Sequence, residues 1–222
     1  NHRFELRMKE LDFTENEMQE HRHYKDQYAS ILYTDQALRD FFTAFAKRKD
    51  FDHTVFLITG DHRMPEIPMR DKIDRFHVPL LIYSPMLTRH AQFSSVSTHF
   101  DITPSLLAWL GHTYGWQLPS AVTWMGDGLD TARAFRNIHS YPLMQTKTDL
   151  VDYVKGDLHL NNTSVFRIKD GLEEEAVSDK SLLEEMMGLM DAYKQRNDRW
   201  LQAKSLLPDS MSRRISLRPV PR

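Results

Sequence analysis

The stretch FDHTVFLITGDHR, residues 51–63, carries an Asp-His pair at each end of one apolar run. The run consists of β-branched, aromatic and aliphatic residues without polar alternation, which is typical of a strand buried on both faces in a sheet flanked by helices. Ligands of open α/β sheets bind beyond the carboxyl ends of the strands. Asp61 and His62, which follow the strand, are therefore predicted to face a site. Asp52 and His53, which precede it, are predicted to form the entry turn at the opposite edge.

The composition bounds the class of protein. The chain has 222 residues, of which 41% are hydrophobic, so it has room for one large domain or for one domain with an appendage. A net charge of −2 gives no global reason to expect nucleic acid or an acidic partner. The absence of cysteine excludes disulfides, thiolate metal sites and a cysteine nucleophile within these residues. No apolar stretch approaches the ~20 residues of a transmembrane helix, and because the chain begins at Asn1 without methionine, we expect a fragment of a longer protein.

A long helix is predicted before the strand and a second strand after it. Residues 14–48 carry apolar side chains at helical spacing, and Thr14 with Glu17 has the signature of a capping box. Residues 63–76 are too charged for a core and suit a loop over a site. The segment HVPLLIYSP, residues 77–85, is a second continuous apolar run, which predicts a second buried strand.

Another helix is predicted through ITPSLLAWLG, residues 102–111. Asp101 or Thr98 is the candidate N-cap, and Pro104 falls in the first turn. Gly111 occupies the C′ position, where glycine commonly ends a helix. The order of helix, strand, loop, strand and helix predicts the α/β class.

The pattern changes after about residue 120. The segments DLVDYVKGDLHL and SVFRIKD alternate in polarity and are separated by turn pairs at 156–157 and 161–162, which predicts a small antiparallel sheet. Residues 179–205 have the spacing of a final amphipathic helix, and the basic, proline-containing tail is predicted to be disordered. The predicted domain boundaries are 1–120, 121–178, 179–205 and 206–222.

Asp61 and His62 supply one hard oxygen ligand and one imidazole. Such a mixed set suits Zn²⁺ or Mn²⁺, and a carboxylate also serves Mg²⁺ or Ca²⁺. Two ligands do not complete a metal site, and by position His2, His77 and His99 are candidates to join them. His77 opens a strand, so it qualifies only if that strand runs antiparallel to the first or if the preceding loop folds back. For His99, a structural role in a helix-entry turn is the alternative to ligation.

Four blocks, taken in order, resemble one family over about residues 24–111. They are YASILYTDQALRDFFTAF, DHTVFLITGDH, HVPLLIYSP and STHFDITPSLLAWLG. Together they resemble the second half of the sulfatase-type catalytic domain of the alkaline phosphatase superfamily, in the branch of lipoteichoic acid synthases and phosphoglycerol transferases. The opening NHRF is similar to the NH-x-PF segment of the synthase branch, whose histidine contacts the phosphate group of the substrate. The proline of that segment is missing here.

The resemblance implies a fold and a site. The fold is an alkaline-phosphatase-like sandwich with a mainly parallel sheet flanked by helices, followed here by the small antiparallel sheet and the terminal helix. Asp61 and His62 would be two ligands of a divalent metal, with Mn²⁺, Ca²⁺ or Zn²⁺ as the expected cofactor. His2, Arg63 and His77 would bind the substrate. Arg63 departs from the family pattern, which has a small residue after Asp-His, and it either clamps the anion or points to solvent.

The implied function is metal-dependent hydrolysis or transfer of a phosphate or sulfate ester through a covalent intermediate. In such proteins the nucleophile and the remaining ligands lie upstream, so this segment alone is expected to be inactive and to need the upstream half of the same polypeptide. We expect a lipid- or glycan-linked ester as substrate, no nucleic acid, and an extracytoplasmic location with the parent anchored to a membrane upstream. Two alternatives stay open: a non-catalytic binding module derived from the same fold, and a soluble α/β domain with Asp61 and His62 in a structural turn.

Overall fold

The computed structural model of the chain describes residues 2–11, 13–118, 122, 124–144 and 148–203. The chain forms two compact units, Asn1–His90 and Ala91–Arg222. The domain boundaries predicted from the sequence stay predictions. The tail, residues 206–222, lies outside the described residues.

The first unit opens with the helices α1 (His2–Glu10), α2 (Glu15–His23) and α3 (Lys25–Phe45). The predicted capping box is confirmed, because the Thr14 hydroxyl accepts from the Glu17 N–H at 3.4 Å and the Glu17 carboxylate accepts from the Thr14 N–H at 2.8 Å. The single helix predicted over residues 14–48 is wrong. The chain breaks at Tyr24, whose N–H bonds to the His21 carbonyl at 3.1 Å in a tighter turn that ends α2 before α3 begins.

The strands β1 (Phe56–Thr59) and β2 (Leu80–Tyr83) pair into an antiparallel two-stranded sheet. The strands predicted at 54–59 and 77–85 are thus confirmed, with shorter bounds. The α/β class is confirmed, but this pair is antiparallel, whereas the resemblance implied a mainly parallel sheet. Parallel neighbours need a crossover, usually an α-helix, but the chain between β1 and β2 is all described and contains only the short 3-10 turn Ile73–Phe76. Without a covering helix, the chain reverses direction.

Aromatic rings pack α3 against one face of this sheet. The Phe56 ring centroid lies 4.9 Å from that of Phe42 and 5.0 Å from that of Phe45, both close to edge-on, which is a favoured arrangement. β2 nevertheless stays open to solvent, with Leu81 56% and Ile82 44% exposed. The expectation of burial on both faces is therefore wrong for β2.

The second unit contains α4 (Ile102–Tyr114), which the 3-10 turn His99–Asp101 introduces. Both predicted cap candidates contribute to this entry. The Thr98 hydroxyl accepts from the Phe100 N–H at 3.2 Å, and the Asp101 carboxylate accepts in return from the Thr98 N–H at 2.8 Å. The helix thus begins with a reciprocal pair of bonds rather than with a single cap.

The end of α4 corrects the prediction at Gly111, which lies inside the helix. The helix ends instead at Gly115, whose φ of 66° is the left-handed conformation that glycine adopts without strain. Gly111 serves close packing, since a Cβ placed there would lie 3.3 Å from the Leu118 side chain.

A five-stranded antiparallel sheet follows, with its strands in chain order. They are β3 (Ser140–Met144), β4 (Leu150–Lys155), β5 (Leu158–Asn161), β6 (Ser164–Ile168) and β7 (Glu174–Val177). The predicted small antiparallel sheet is confirmed, and its turns contain Gly156 and Asn162 at φ values of 56° and 53°. The outer strands β3 and β7 had no prediction from the sequence.

Helix α5 (Lys180–Gln202) covers one face of this sheet and confirms the predicted terminal helix. Asp179 caps it by accepting from the Ser181 N–H at 2.8 Å. The methionines of α5 pack into the core, as the sequence indicated. The buried core comprises Tyr153, Leu160, Val165, Met186 and Met190.

Candidate functional site

Asp61 and His62 lie directly beyond the carboxyl end of β1. Gly60 brings the chain close to the start of the partner strand, because a Cβ placed on it would lie 3.2 Å from the Val78 Cβ, closer than an ordinary contact. The Asp61 and His62 side chains are 91% and 69% exposed. Both are therefore accessible to a ligand at this end of the strand.

The hydrogen bonds of His62 favour one tautomer. Its Nδ1 lies 2.6 Å from the Arg63 carbonyl oxygen, and since a carbonyl can only accept, Nδ1 carries the proton. The Nε2 lone pair then faces outward, 3.7 Å from Asp61 Oδ2. Two ligands about 2.1 Å from one tetrahedral ion lie about 3.4 Å apart. The pair thus fits two positions of a divalent metal site, with the backbone carbonyl orienting the imidazole as in known metal centres.

The antiparallel pairing decides which other residues share this end of the sheet. Thr59 lies opposite Leu80, so the carboxyl end of β1 meets the amino end of β2. His77 precedes β2, its side chain is exposed, and it therefore lies at the same end of the pair as Asp61. The condition that the sequence set for His77 is met. The 3-10 turn Phe51–His53, which contains the other Asp-His pair, precedes β1 at the opposite end.

The Arg63 guanidinium bonds to the backbone of the loop that follows it. Its Nη1 donates to the carbonyl oxygens of Met64 at 2.8 Å and Ile67 at 2.6 Å, and its Nη2 donates to that of Pro65 at 3.1 Å. The guanidinium therefore stabilises the loop that follows the Asp-His pair. Anion binding by Arg63 stays a prediction.

The remaining histidine candidates are exposed. His2 begins α1 and borders a shallow apolar pocket with Phe4 and Tyr33. His99 begins the turn before α4, in the second unit. Across the described residues, no group of three or more His, Asp or Glu side chains is arranged to hold a metal ion. The ligand and substrate-binding roles of these histidines stay predictions.

Asp101 forms a buried network that the sequence indicated only as a helix cap. Its side chain is fully buried and accepts from the backbone N–H groups of Asp127 and Gly128, each at 3.1 Å, and from the Tyr141 hydroxyl. Burial and the bonded Asp101 carboxylate raise the pKa of Tyr141. Gly126 precedes these donors, and a Cβ there would lie 2.1 Å from the carbonyl oxygen of the residue before Asp101. The network joins the start of α4 to the chain that leads into β3.

A second buried carboxylate, Asp130, is held by one arginine. The Arg136 guanidinium bonds to it in a bidentate way, at 2.7 and 2.8 Å, and the Ala132 N–H donates at 3.0 Å. The hydrogen bonds from Arg136 and Ala132 lower the pKa of Asp130 to about 2. Asp130 and Arg136 are six residues apart, a spacing that does not identify an ion pair in the sequence.

A third buried cluster centres on His159. The imidazole is fully buried, with Nε2 3.1 Å from Asp152 Oδ1 and Nδ1 bonded to Glu174. Asp152 and His159, each flanked by apolar residues on both sides, were a sequence signal for a buried polar cluster. Each carboxylate lies on a different strand from His159, so no local pattern paired them.

The family comparison agrees with the resemblance in the sequence. Residues 4–112, just under half of the chain, match the family described as Sulfatase. No curated protein and no solved structure matches the chain. No helix within the described ranges is long and apolar enough to cross a membrane. The match, which includes the Asp61–His62 pair, supports a sulfatase-type domain of the alkaline phosphatase superfamily over residues 4–112.

Proposed function

We propose that the chain is part of a metal-dependent enzyme that hydrolyses or transfers a phosphate or sulfate ester. One observation carries this proposal: Asp61 and His62 present an exposed carboxylate and an outward imidazole lone pair at the carboxyl end of β1, inside the stretch that matches the sulfatase family. A site at that end of a strand is where α/β proteins bind their ligands.

Asp61 Oδ2 and His62 Nε2 would hold a divalent metal, with Mn²⁺, Ca²⁺ or Zn²⁺ as candidates. A bound metal supplies positive charge that stabilises the transferring group and lowers the pKa of a nearby hydroxyl. The Arg63 carbonyl fixes the His62 tautomer that leaves Nε2 available for this role. His77 lies at the same end of the sheet, where an imidazole suits binding of the non-bridging oxygens or protonation of the leaving alkoxide.

The nucleophile is proposed to be a serine, threonine or modified cysteine upstream of these residues. It would attack phosphorus or sulfur in line, and water or an acceptor alcohol would resolve the covalent ester. On this proposal the 222-residue chain alone has no esterase activity. The phosphoglycerol-transferase branch, a lipid- or glycan-linked substrate, an extracytoplasmic location and an upstream membrane anchor rest on the resemblance of the sequence blocks.

The decisive experiment titrates Mn²⁺ calorimetrically into the full-length parent protein carrying single alanine substitutions. Asp61→Ala and His62→Ala should each weaken binding by at least about tenfold, since each removes a direct ligand. Asp52→Ala and His53→Ala are matched controls from the other end of the same strand and should leave affinity unchanged. Equal losses from both pairs would overturn the assignment of the site.

A non-catalytic binding module is the second candidate. It is favoured by the lack of a complete metal-ligand group within the part of the chain that the structure describes. Turnover of p-nitrophenyl phosphate or sulfate by the full-length parent, lost in Asp61→Ala, would exclude it. Turnover by the 222-residue chain alone would contradict the upstream nucleophile, and activity that survives Asp61→Ala would belong to another site.

A further inference from the structure

The buried cluster in the five-stranded sheet is built around an imidazole with two acceptors. His159 lies on β5, Asp152 on the neighbouring strand β4, and Glu174 at the start of β7. The side chains of His159 and Asp152 are completely buried, and that of Glu174 is 1% exposed. These carboxylates are the charged groups that act on His159. From β6, the Phe166 ring lies beside the imidazole, with its centroid 6.2 Å from that of His159.

The chemistry of imidazole sets what this arrangement requires. Each ring nitrogen of His159 faces a carboxylate oxygen. A neutral imidazole has one donor nitrogen and one acceptor nitrogen, and only the imidazolium donates from both. Loss of the proton therefore places a nitrogen lone pair against one of the two carboxylates, whatever else those carboxylates bind.

The sheet topology indicates which of the two contacts, His159–Asp152 or His159–Glu174, breaks when His159 loses a proton. Asp152 belongs to β4, which has a strand on either side, and it also accepts from Asn161 Nδ2 at 2.6 Å. Glu174 belongs to β7, which among the described strands pairs with β6 alone. Just before β7, Leu172 has a φ of 64°, a left-handed conformation that strains leucine. The edge strand is thus attached on one side and follows a strained turn.

We propose that doubly protonated His159, bonded to both Asp152 and Glu174, acts as a latch that holds β7 on the sheet. Rising pH removes one proton from His159 and releases this strand, so the latch is a pH-sensitive conformational switch. β7 runs into the Asp179 cap of α5, so its release also loosens the start of the helix that covers the core. The device is independent of the Asp61–His62 site, and its failure would leave the proposed function untouched.

The direction of the pH effect follows from the shifted titration of His159. Burial lowers the pKa of His159, but the hydrogen bonds and charges of Asp152 and Glu174 outweigh burial and raise it above the usual 6.5. Because the pKa of His159 is raised in the folded protein, the stability that the latch contributes is fully present below pH 6.5. That stability is lost as pH rises through the pKa of His159 in the folded state. Within that window, opening of β7 should become more frequent by up to about tenfold per pH unit.

Amide hydrogen exchange on the full chain tests the proposal. Between about pH 6 and pH 9, the protection of the β7 amides, corrected for intrinsic exchange, should fall as pH rises, by up to about tenfold per pH unit. Amides of α3, in the other unit, should keep constant protection and serve as the internal reference. Flat β7 protection over this range would overturn the latch.

Glu174→Gln separates the latch from a general loss of stability. The glutamine amide can donate to the neutral His159 Nδ1, so β7 protection in this variant should vary less than about twofold with pH. Glu173→Gln is the matched control, an exposed neighbour that should retain the wild-type slope. A wild-type slope in Glu174→Gln would refute the assignment. If that variant fails to fold, imidazole ¹⁵N shifts of the wild-type chain decide, because a His159 that is neutral at about pH 6, below its ordinary pKa, contradicts the proposal.

Discussion

Asp101→Ala should destabilise the second unit severely, because one buried carboxylate there serves several donors. The substitution leaves the Asp127 and Gly128 N–H groups and the Tyr141 hydroxyl without their acceptor. Each unsatisfied buried donor costs about 1–3 kcal/mol, and partial relaxation brings the expected total to about 4 kcal/mol. With a slope of about 2 kcal/mol per molar urea, the unfolding midpoint should fall by about 2 M.

Tryptophan fluorescence isolates this unit, since all four tryptophans of the chain lie after residue 91: they are Trp109, Trp116, Trp124 and Trp200. Asp127→Ala is the matched control, because it removes an exposed side chain and retains the backbone donor. If Asp101→Ala does not fold, Tyr141→Phe still tests the network and should cost about 1 kcal/mol. Equal urea midpoints for Asp101→Ala and Asp127→Ala would refute the reasoning.

Three further outcomes are expected. Gly126→Ala should lower the free energy of unfolding in urea by about 3 kcal/mol, because its Cβ would clash with a carbonyl oxygen. Gly188→Ala, which has open space around it in α5, should raise the free energy of unfolding by about 0.5–1 kcal/mol. Equal urea midpoints for the two variants would contradict this. The low pKa of Asp130 means that stability from its Arg136 bond is present above pH 3.8, the usual pKa of an aspartate, and is lost as pH falls through about 2. The gap in urea midpoint between wild type and Arg136→Gln should therefore close between those values, and a gap that persists below pH 2 would count against the pair. The isolated chain should self-associate, because the described residues leave the outer edges of the two-stranded sheet unpaired. Light scattering coupled to chromatography measures this. A monomer whose cooperative melt is unchanged when the upstream half is added would exclude self-association.

Features that rest on neighbouring residues were predictable from the sequence. The capping box of Thr14 and Glu17 involves residues three apart, and the structure shows both of its bonds. The turns at Gly156 and Asn162 need left-handed backbone, which glycine and asparagine adopt most readily. The apolar runs predicted the positions of β1 and β2. The prediction of a site at Asp61 and His62 rested on their place directly after the first of these strands.

Features that depend on distant residues were not predictable. The end of α4 lies at Gly115 and not at the predicted Gly111, against which Leu118 packs from beyond the helix. The direction of β2 depends on the chain before it, where no crossover helix forms. Arg63 turns to its own loop because the carbonyls of that loop are oriented toward it. Glu174 lies two strands away from His159, so their contact emerges only from the order of the sheet.

The close contact between Gly126 and Phe100 bears on whether residues 4–112, which match the sulfatase family, can be separated from the rest of the chain. The family match ends at residue 112, inside α4, two residues before that helix ends. The carboxylate that begins the same helix accepts from Asp127, Gly128 and Tyr141, all beyond the match. Excising residues 4–112 would therefore leave α4 truncated and its buried acid without three of its donors. The family match thus ends at a point where the hydrogen-bond network of α4 continues, so substitutions after residue 112 must remain compatible with the helix before it.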